Sequence, residues 1–204
     1  ILVNTPGSWS HVYAPLLHAD WHGCTPTDVI FPFFMFIIGS AMFFSFKKTN
    51  STANASQVLR LIKRGAIIFA IGLALNMYPF TTSIENLRIL GVLQRIGIAY
   101  ILASICVLLL NRRGVISLSV VILIAYWLLL LSVGPNNAYT LENNLVRTVD
   151  LAVLGESHLW QGKGLAFDPE GLLSTLPSVV SVLFGFGVTR LLTSSSSQWT
   201  SIKR

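Results

Sequence analysis

The residues best equipped for chemistry lie close together near the start of the chain. His18-Ala19-Asp20-Trp21-His22-Gly23 is followed by Cys24 and, ten residues after His18, by Asp28. Histidine titrates near neutrality and serves as proton shuttle or nucleophile, so His18 is a candidate catalytic base, with Asp20 or Asp28 to orient its ring. Trp21 also suits an interfacial aromatic belt. Metal binding is the competing chemistry, because His18 and His22 have i, i+4 spacing. Pro15 and Gly23 work against a helix that would present both rings, there is no HExxH pattern, and no metal is expected. A second group is charged. Arg95, within Gly91-Val92-Leu93-Gln94-Arg95-Ile96, lies about two turns inside an apolar segment that Arg88 opens. An ionisable group at such depth usually faces the bundle interior and is functional by default; it suits pairing with Asp28 or binding a phosphate or carboxylate. Asp168 and Glu170 flank Pro169 just before the last apolar run. They read either as N-terminal helix signals or as acids that converge on the His18 region.

The segments that must position these groups are membrane helices. The chain has 204 residues, 53% of them hydrophobic and 11% charged, whereas soluble domains carry about 25% charge. A bilayer core of about 30 Å needs roughly 20 apolar residues per helix, and five runs approach that length: Val29 to Phe46, Gly65 to Ile84, Ile96 to Asn111 (extendable back to Ile89), Gly114 to Gly134, and Gly171 to Thr189. They are apolar all round, which excludes the alternation of barrel strands. The expected fold is an all-α polytopic bundle of five complete transmembrane helices, with the end of another at Ile1-Leu2-Val3 and a long outer loop from Pro135 to Glu170. The stretch 1–204 reads as one transmembrane domain, cut at both ends.

The net charge of +6 is an orientation signal rather than a nucleic-acid footprint. Lys47, Lys48, Arg60, Lys63, Arg64, Arg112, Arg113, Arg190, Lys203 and Arg204 share one side, the cytoplasmic one by the positive-inside rule. All eight Asp and Glu residues and all four histidines fall on or near the other side. Chemistry-bearing residues thus gather at one face, as in an enzyme site or a transporter vestibule.

Three spaced blocks carry a family resemblance: Asn4-Thr5-Pro6-Gly7-Ser8-Trp9 through His18–Gly23 to Thr25-Pro26-Thr27-Asp28 and Phe31-Pro32-Phe33-Phe34; then Gly91–Ile96; then Asp168-Pro169-Glu170-Gly171-Leu172-Leu173-Ser174-Thr175. The chain resembles the heparan-alpha-glucosaminide N-acetyltransferase family and its bacterial relatives of the transmembrane acyltransferase class. The resemblance implies a membrane enzyme that takes acetyl from cytosolic acetyl-CoA and delivers it to the amine of an amino sugar on the far face. It places the catalytic histidine on His18 and a polar asparagine on Asn4; Asp28, as the acid that orients the ring, is the third catalytic candidate. Trp21, His22, Gln94, Arg95, Asp168 and Glu170 are the candidate substrate- and cofactor-binding residues. Where lysosomal members have Asn after the tryptophan, this chain has His22, as bacterial-type members often do. The expected setting is a bacterial plasma membrane with the His18 loop outside. The expected partners are acetyl-CoA, a glycan acceptor and lipid, without nucleic acid, and a homodimer is among the possible assemblies. The alternative from another class is a permease for an anionic solute, with Arg95 as its binding charge.

Overall fold

The computed structural model describes the chain except residues 1, 2, 4, 6, 9, 50–53, 133–137, 203 and 204, and except the side chains of 49 and 195–202. Among the described residues six α-helices form a bundle: α1 (Pro26–Thr49), α2 (Ala55–Met77), α3 (Val92–Leu109), α4 (Arg112–Leu131), α5 (Leu145–Leu154) and α6 (Thr175–Ile202). The only β-type pairing among these residues is an isolated bridge between Trp160 and Phe167. Four of the described helices are long and apolar enough to cross a membrane: α1, α3, α4 and the first part of α6. The expected helical membrane bundle is therefore the architecture found. The predicted end of a preceding helix falls on Ile1 and Leu2, which lie outside the described residues.

Local sequence sets the helix ends, and in three places it shifts them from expectation. α1 starts at Pro26, whose fixed φ suits a first helical position. Asp28 reaches back to accept the Thr25 backbone N–H at 2.8 Å, one half of a capping box. α2 begins at Ala55 under an Asn54 cap that accepts the Gln57 N–H at 2.8 Å. It ends at Met77 because Pro79 lacks the N–H and disfavours helix in the residue before it. The apolar run predicted to reach Ile84 is thus only partly helical, and the first half of α2 carries Arg60, Lys63 and Arg64. α3 starts at Val92 rather than Ile96, and its Arg95 N–H bonds the Gly91 carbonyl at 2.9 Å. Arg88 to Leu90 is not helical, so Arg95 sits in the first turn of α3 rather than two turns inside it. α6 starts at Thr175, seven residues beyond the predicted signal at Asp168, whose carboxylate is taken by Arg88. Inside the long loop Asn144 caps α5, accepting the Arg147 N–H at 2.9 Å.

α6 is the central element, packed on α1, α3 and α4, while α3 also packs on α2 and α1. Two crossings rest on glycine. A Cβ on Gly39 of α1 would strike the Val182 carbonyl of α6, and one on Gly185 of α6 would strike the Phe36 carbonyl of α1. Gly65 of α2 and Gly97 of α3 have the same reciprocal relation: a Cβ on Gly97 would lie 2.6 Å from the Gly65 carbonyl oxygen. Without side chains at these points the backbones approach closely, the usual device of helix pairs in lipid. The core between α1, α3 and α6 is filled by Met35, Met42, Ile96, Ala99, Tyr100, Ala103, Val179, Val182 and Leu183. Ser104 is fully buried there and donates to the Met42 sulfur at 3.1 Å. α4 lies outermost and buries none of its residues.

The antiparallel run of helices divides the molecule into two ends. The N-termini of α1, α3 and α6 meet the segments 10–25, 78–91 and 138–174 at the loop end. Lys47, Lys48, Arg112, Arg113 and Arg190 mark the basic end.

Candidate functional site

Three arrangements occupy the loop end. In the first, His18 Nδ1 lies 2.6 Å from Asp28 Oδ1. The second carboxylate oxygen of Asp28 accepts the Thr25 N–H at 2.8 Å, the Thr25 hydroxyl at 3.0 Å and the Ala19 N–H at 3.3 Å. Thr25 Oγ1 also lies 2.7 Å from the Leu17 carbonyl, which ties down the segment that carries the histidine. Asp28 is thus held by the helix start while its free oxygen fixes the ring. An ionised carboxylate only accepts, so Nδ1 is the ring nitrogen that donates to it, and the lone pair of the neutral ring belongs to Nε2. The His18 side chain is 68% exposed, which leaves Nε2 open to a reactant. Asp20 does not share in this pairing; its backbone carbonyl receives Lys163 Nζ.

In the second, the acids before α6 converge on Arg88. Its guanidinium grips Asp168 in a fork, Nε to Oδ2 at 3.0 Å and Nη2 to Oδ1 at 2.8 Å, and reaches Glu170 Oε2 at 2.6 Å. The Asp168 side chain is fully buried. Burial alone would lower the Arg88 pKa, but the Asp168 and Glu170 carboxylates raise it. Burial pushes the Glu170 carboxyl up, against the pull of Arg88. Arg95 holds the same loop from below, donating to the Pro169 carbonyl at 2.8 Å, to Gly171 at 3.4 Å and to the Ser174 hydroxyl. Its guanidinium also lies 5.8 Å from the centre of the Phe31 ring. From α5, Asp150 accepts the Leu172 N–H at 2.8 Å, while its other oxygen is buried without a partner. Burial raises this carboxyl to about 6. Gln94, buried between α2 and α3, likewise has an unpartnered amide nitrogen.

The third is a cavity of about 440 Å³ lined by Trp21, His22, Tyr126, Tyr139, Arg147 and Phe167, among others, with Asp168 and Ser174 on its wall. Trp21 spans from the His18 loop to the long loop, donating from Nε1 to the Tyr139 carbonyl at 2.7 Å and meeting Phe167 edge-on at 5.9 Å. Arg147 donates to the Ala166 and Glu142 carbonyls at 2.8 and 2.9 Å. Volume and aromatic lining fall in the range of small-molecule sites.

The sequence-derived candidates therefore divide. His18 and Asp28 are directly bonded, and Trp21, His22 and Asp168 meet at the cavity. Arg95 and Glu170 are joined through the segment before α6, and Gln94 stands apart between α2 and α3. Asn4 lies outside the described residues. The contributions of Arg88, Arg147 and Asp150 were not legible in the sequence. An arginine just before an apolar run and an acid within a long loop carry no spacing signal, because their partners lie about 80 and 22 residues away. Among the described residues no group of three or more His, Cys, Asp or Glu side chains is arranged to hold a metal.

A comparison with protein families matches residues 10–204 to the model for "Heparan-alpha-glucosaminide N-acetyltransferase, catalytic". Two curated relatives carry the name heparan-alpha-glucosaminide N-acetyltransferase. The Homo sapiens protein is 27% identical over 86% of this chain and 34% of its own length, and the Mus musculus protein is 25% identical over the same shares. The chain thus spans about a third of the length of the relatives it matches. A match over nearly the whole chain, together with the helical membrane bundle, places the protein in the heparan-alpha-glucosaminide N-acetyltransferase catalytic family.

Proposed function

We propose that the protein is an integral-membrane acetyltransferase that moves an acetyl group from acetyl-CoA to the amine of an amino sugar at the loop end. The observation that carries the reading is the His18–Asp28 pair, which leaves Nε2 of an oriented imidazole exposed. An ammonium cannot attack a thioester, so a base must first take its proton. In direct transfer, Nε2 accepts that proton, the neutral amine adds to the thioester carbonyl, and the CoA thiolate departs and takes the second amine proton as the thiol. In the two-step alternative, Nε2 itself attacks the carbonyl and expels the thiolate, the thiolate takes the ammonium's proton, and the neutral amine receives the acetyl group while the freed imidazole takes its second proton. Either way the imidazole gains positive charge beside Asp28, which stabilises it. Asn4 is the amide assigned to the oxyanion of the tetrahedral intermediate. The aromatic wall of Trp21, Tyr139 and Phe167 suits the apolar face of a sugar ring.

The basic end faces the cytoplasm in this reading, by the excess of Lys and Arg there, and the loop end faces the opposite side of a plasma membrane. Arg95 turns its Nη2 donor to the segment before α6, so a permease with Arg95 as the solute-binding charge draws no support from the geometry. The test is acetyl transfer from labelled acetyl-CoA to glucosamine by membranes that hold the full-length protein. Transfer should depend on His18, and undiminished transfer by His18→Ala would end the assignment.

A further inference from the structure

Histidine is the side chain that takes up and gives back a proton near neutrality, and the wall of the cavity beside the His18 loop carries one, His22. The other three histidines each have a ring nitrogen engaged: His11 with the Ser10 hydroxyl at 3.0 Å, His18 with Asp28, and His158 with the Leu87 carbonyl at 2.7 Å. The His22 side chain is exposed, and its ring has no hydrogen-bond partner among the described residues. Its neighbour Trp21 is pinned to Tyr139 and Phe167, which holds the segment that presents the ring. The other polar side chains on this wall are poor bases. Arg147 is a permanent cation with donors only, and Asn144 is an amide. Tyr126, Tyr139 and Ser174 offer hydroxyls, whose oxygen is too weakly basic to hold an ammonium's proton. Asp168 is buried in the fork of Arg88. His18 is not on the wall; it stands at the Asp28 end of the same loop.

We propose that His22 is the base that prepares the acceptor, taking the proton from its ammonium group. This role rests on the acetyl-transfer reading, with the amino sugar seated in the cavity. The two-step route shows why a second base is needed. While Nε2 of His18 carries the acetyl group and Nδ1 donates to Asp28, that ring has no free nitrogen for the ammonium's proton. The departing thiolate can take it only while it stays beside the acceptor. His22 removes that requirement. One ammonium N–H bond breaks and an N–H bond forms on the His22 ring, which becomes imidazolium. The neutral amine then adds to the acetyl carbonyl, the new N–C bond forms, and the bond to Nε2 breaks. The second amine proton goes to Nε2 of His18, and the His22 proton passes to the thiolate or to water. In direct transfer the same first step leaves Nε2 of His18 free for the second proton.

The test follows acetyl transfer from labelled acetyl-CoA to glucosamine from pH 6 to pH 9, in membranes that hold the full-length protein. Rates are normalised to the protein present. His22→Asn should lower kcat/KM for glucosamine by about 10²-fold at pH 6. The loss should shrink as pH rises, because the solvent then supplies the neutral amine. His22→Phe keeps a flat ring without a proton site and should follow the same profile. His22→Glu restores a proton acceptor and should recover part of the loss. Undiminished transfer by His22→Asn or His22→Phe at pH 6, or a loss of the same size at every pH, would overturn the role of His22. His18→Ala, measured beside them, checks the acetyl-transfer reading separately. Undiminished transfer there removes the His18 assignment, whereas a His22 variant that behaves as the wild type removes only the acceptor-side base.

Discussion

At the scale of single residues, the loop end separates an exposed pair from a buried network. His18 and Asp28 form the exposed pair, in which the carboxylate acts only through the ring it orients. His18→Ala should lower acetyl transfer by about 10²–10⁴-fold. Asp28→Asn should lower kcat by at least about 10²-fold while leaving the acceptor KM nearly unchanged, because an amide can donate to Nδ1 and stabilise the wrong tautomer. A KM effect without a kcat effect would show that Asp28 serves binding instead. Arg88, Asp168 and Glu170 form the network, and Asp168 has no exposed side-chain surface. Removing one partner of a buried pair strands the other and costs about 3–5 kcal/mol. Arg88→Met should therefore lower the thermal midpoint of the purified protein sharply, and a loss below about 1 kcal/mol would refute the network's structural weight. The His18–Asp28 link was accessible from sequence as one of two choices, since Asp20 is nearer along the chain. Folding selects Asp28 because the Thr25 cap holds its carboxylate at the helix start.

Elements were more legible than their ends. Apolar runs located the four long apolar helices, because lipid demands length and apolarity of any span. Local chemistry the runs do not encode decided where the helices stop: Pro79 ends α2 early, and the segment from Asp168 to Ser174 is held by Arg88 and Arg95 instead of joining α6. Helix α5 was missed because its ten residues are too few to span and were read as loop, although the Asn144 cap marks its start. The glycine crossings give a prediction at this scale. Gly39→Leu or Gly185→Leu must push α1 and α6 apart, since the new Cβ meets backbone rather than a movable side chain. Each should cost about 1–3 kcal/mol or more, the range for overpacked cores. Gly187→Ala, on the same helix but with no atom within 4 Å of its Cβ position, should cost nothing beyond about 0.5 kcal/mol. Equal melting of all three variants in detergent would show that the crossing does not depend on small residues.

For the molecule as a whole, the charge pattern has a consequence for stability. Every acid lies at the loop end, and one of them, Asp150, ties stability to pH. Asp150 is fully buried, holds Leu172 with one oxygen and has no partner for the other, so its neutral form fits the fold better. Its carboxyl is raised from the ordinary 3.8 to about 6, so between those values the folded protein binds more protons here than the unfolded chain does. Stability from this group is then largest near pH 4 and is lost as pH rises through 6. A shift of this size corresponds to at most about 3 kcal/mol. The measurement is a difference: thermal stability of the wild-type protein minus that of Asp150→Asn, from pH 4 to 8. Asparagine keeps an acceptor for Leu172 and cannot ionise, so the difference should fall with rising pH and level off above about pH 7. A difference that is flat, or that grows with pH, would mean that Asp150 is ionised in the folded protein and that its orphaned oxygen has found a cationic partner. In the first case α5 docks on the entrance of α6 as a neutral acid, and acidity on the loop side tightens the segment that Arg88 and Arg95 hold.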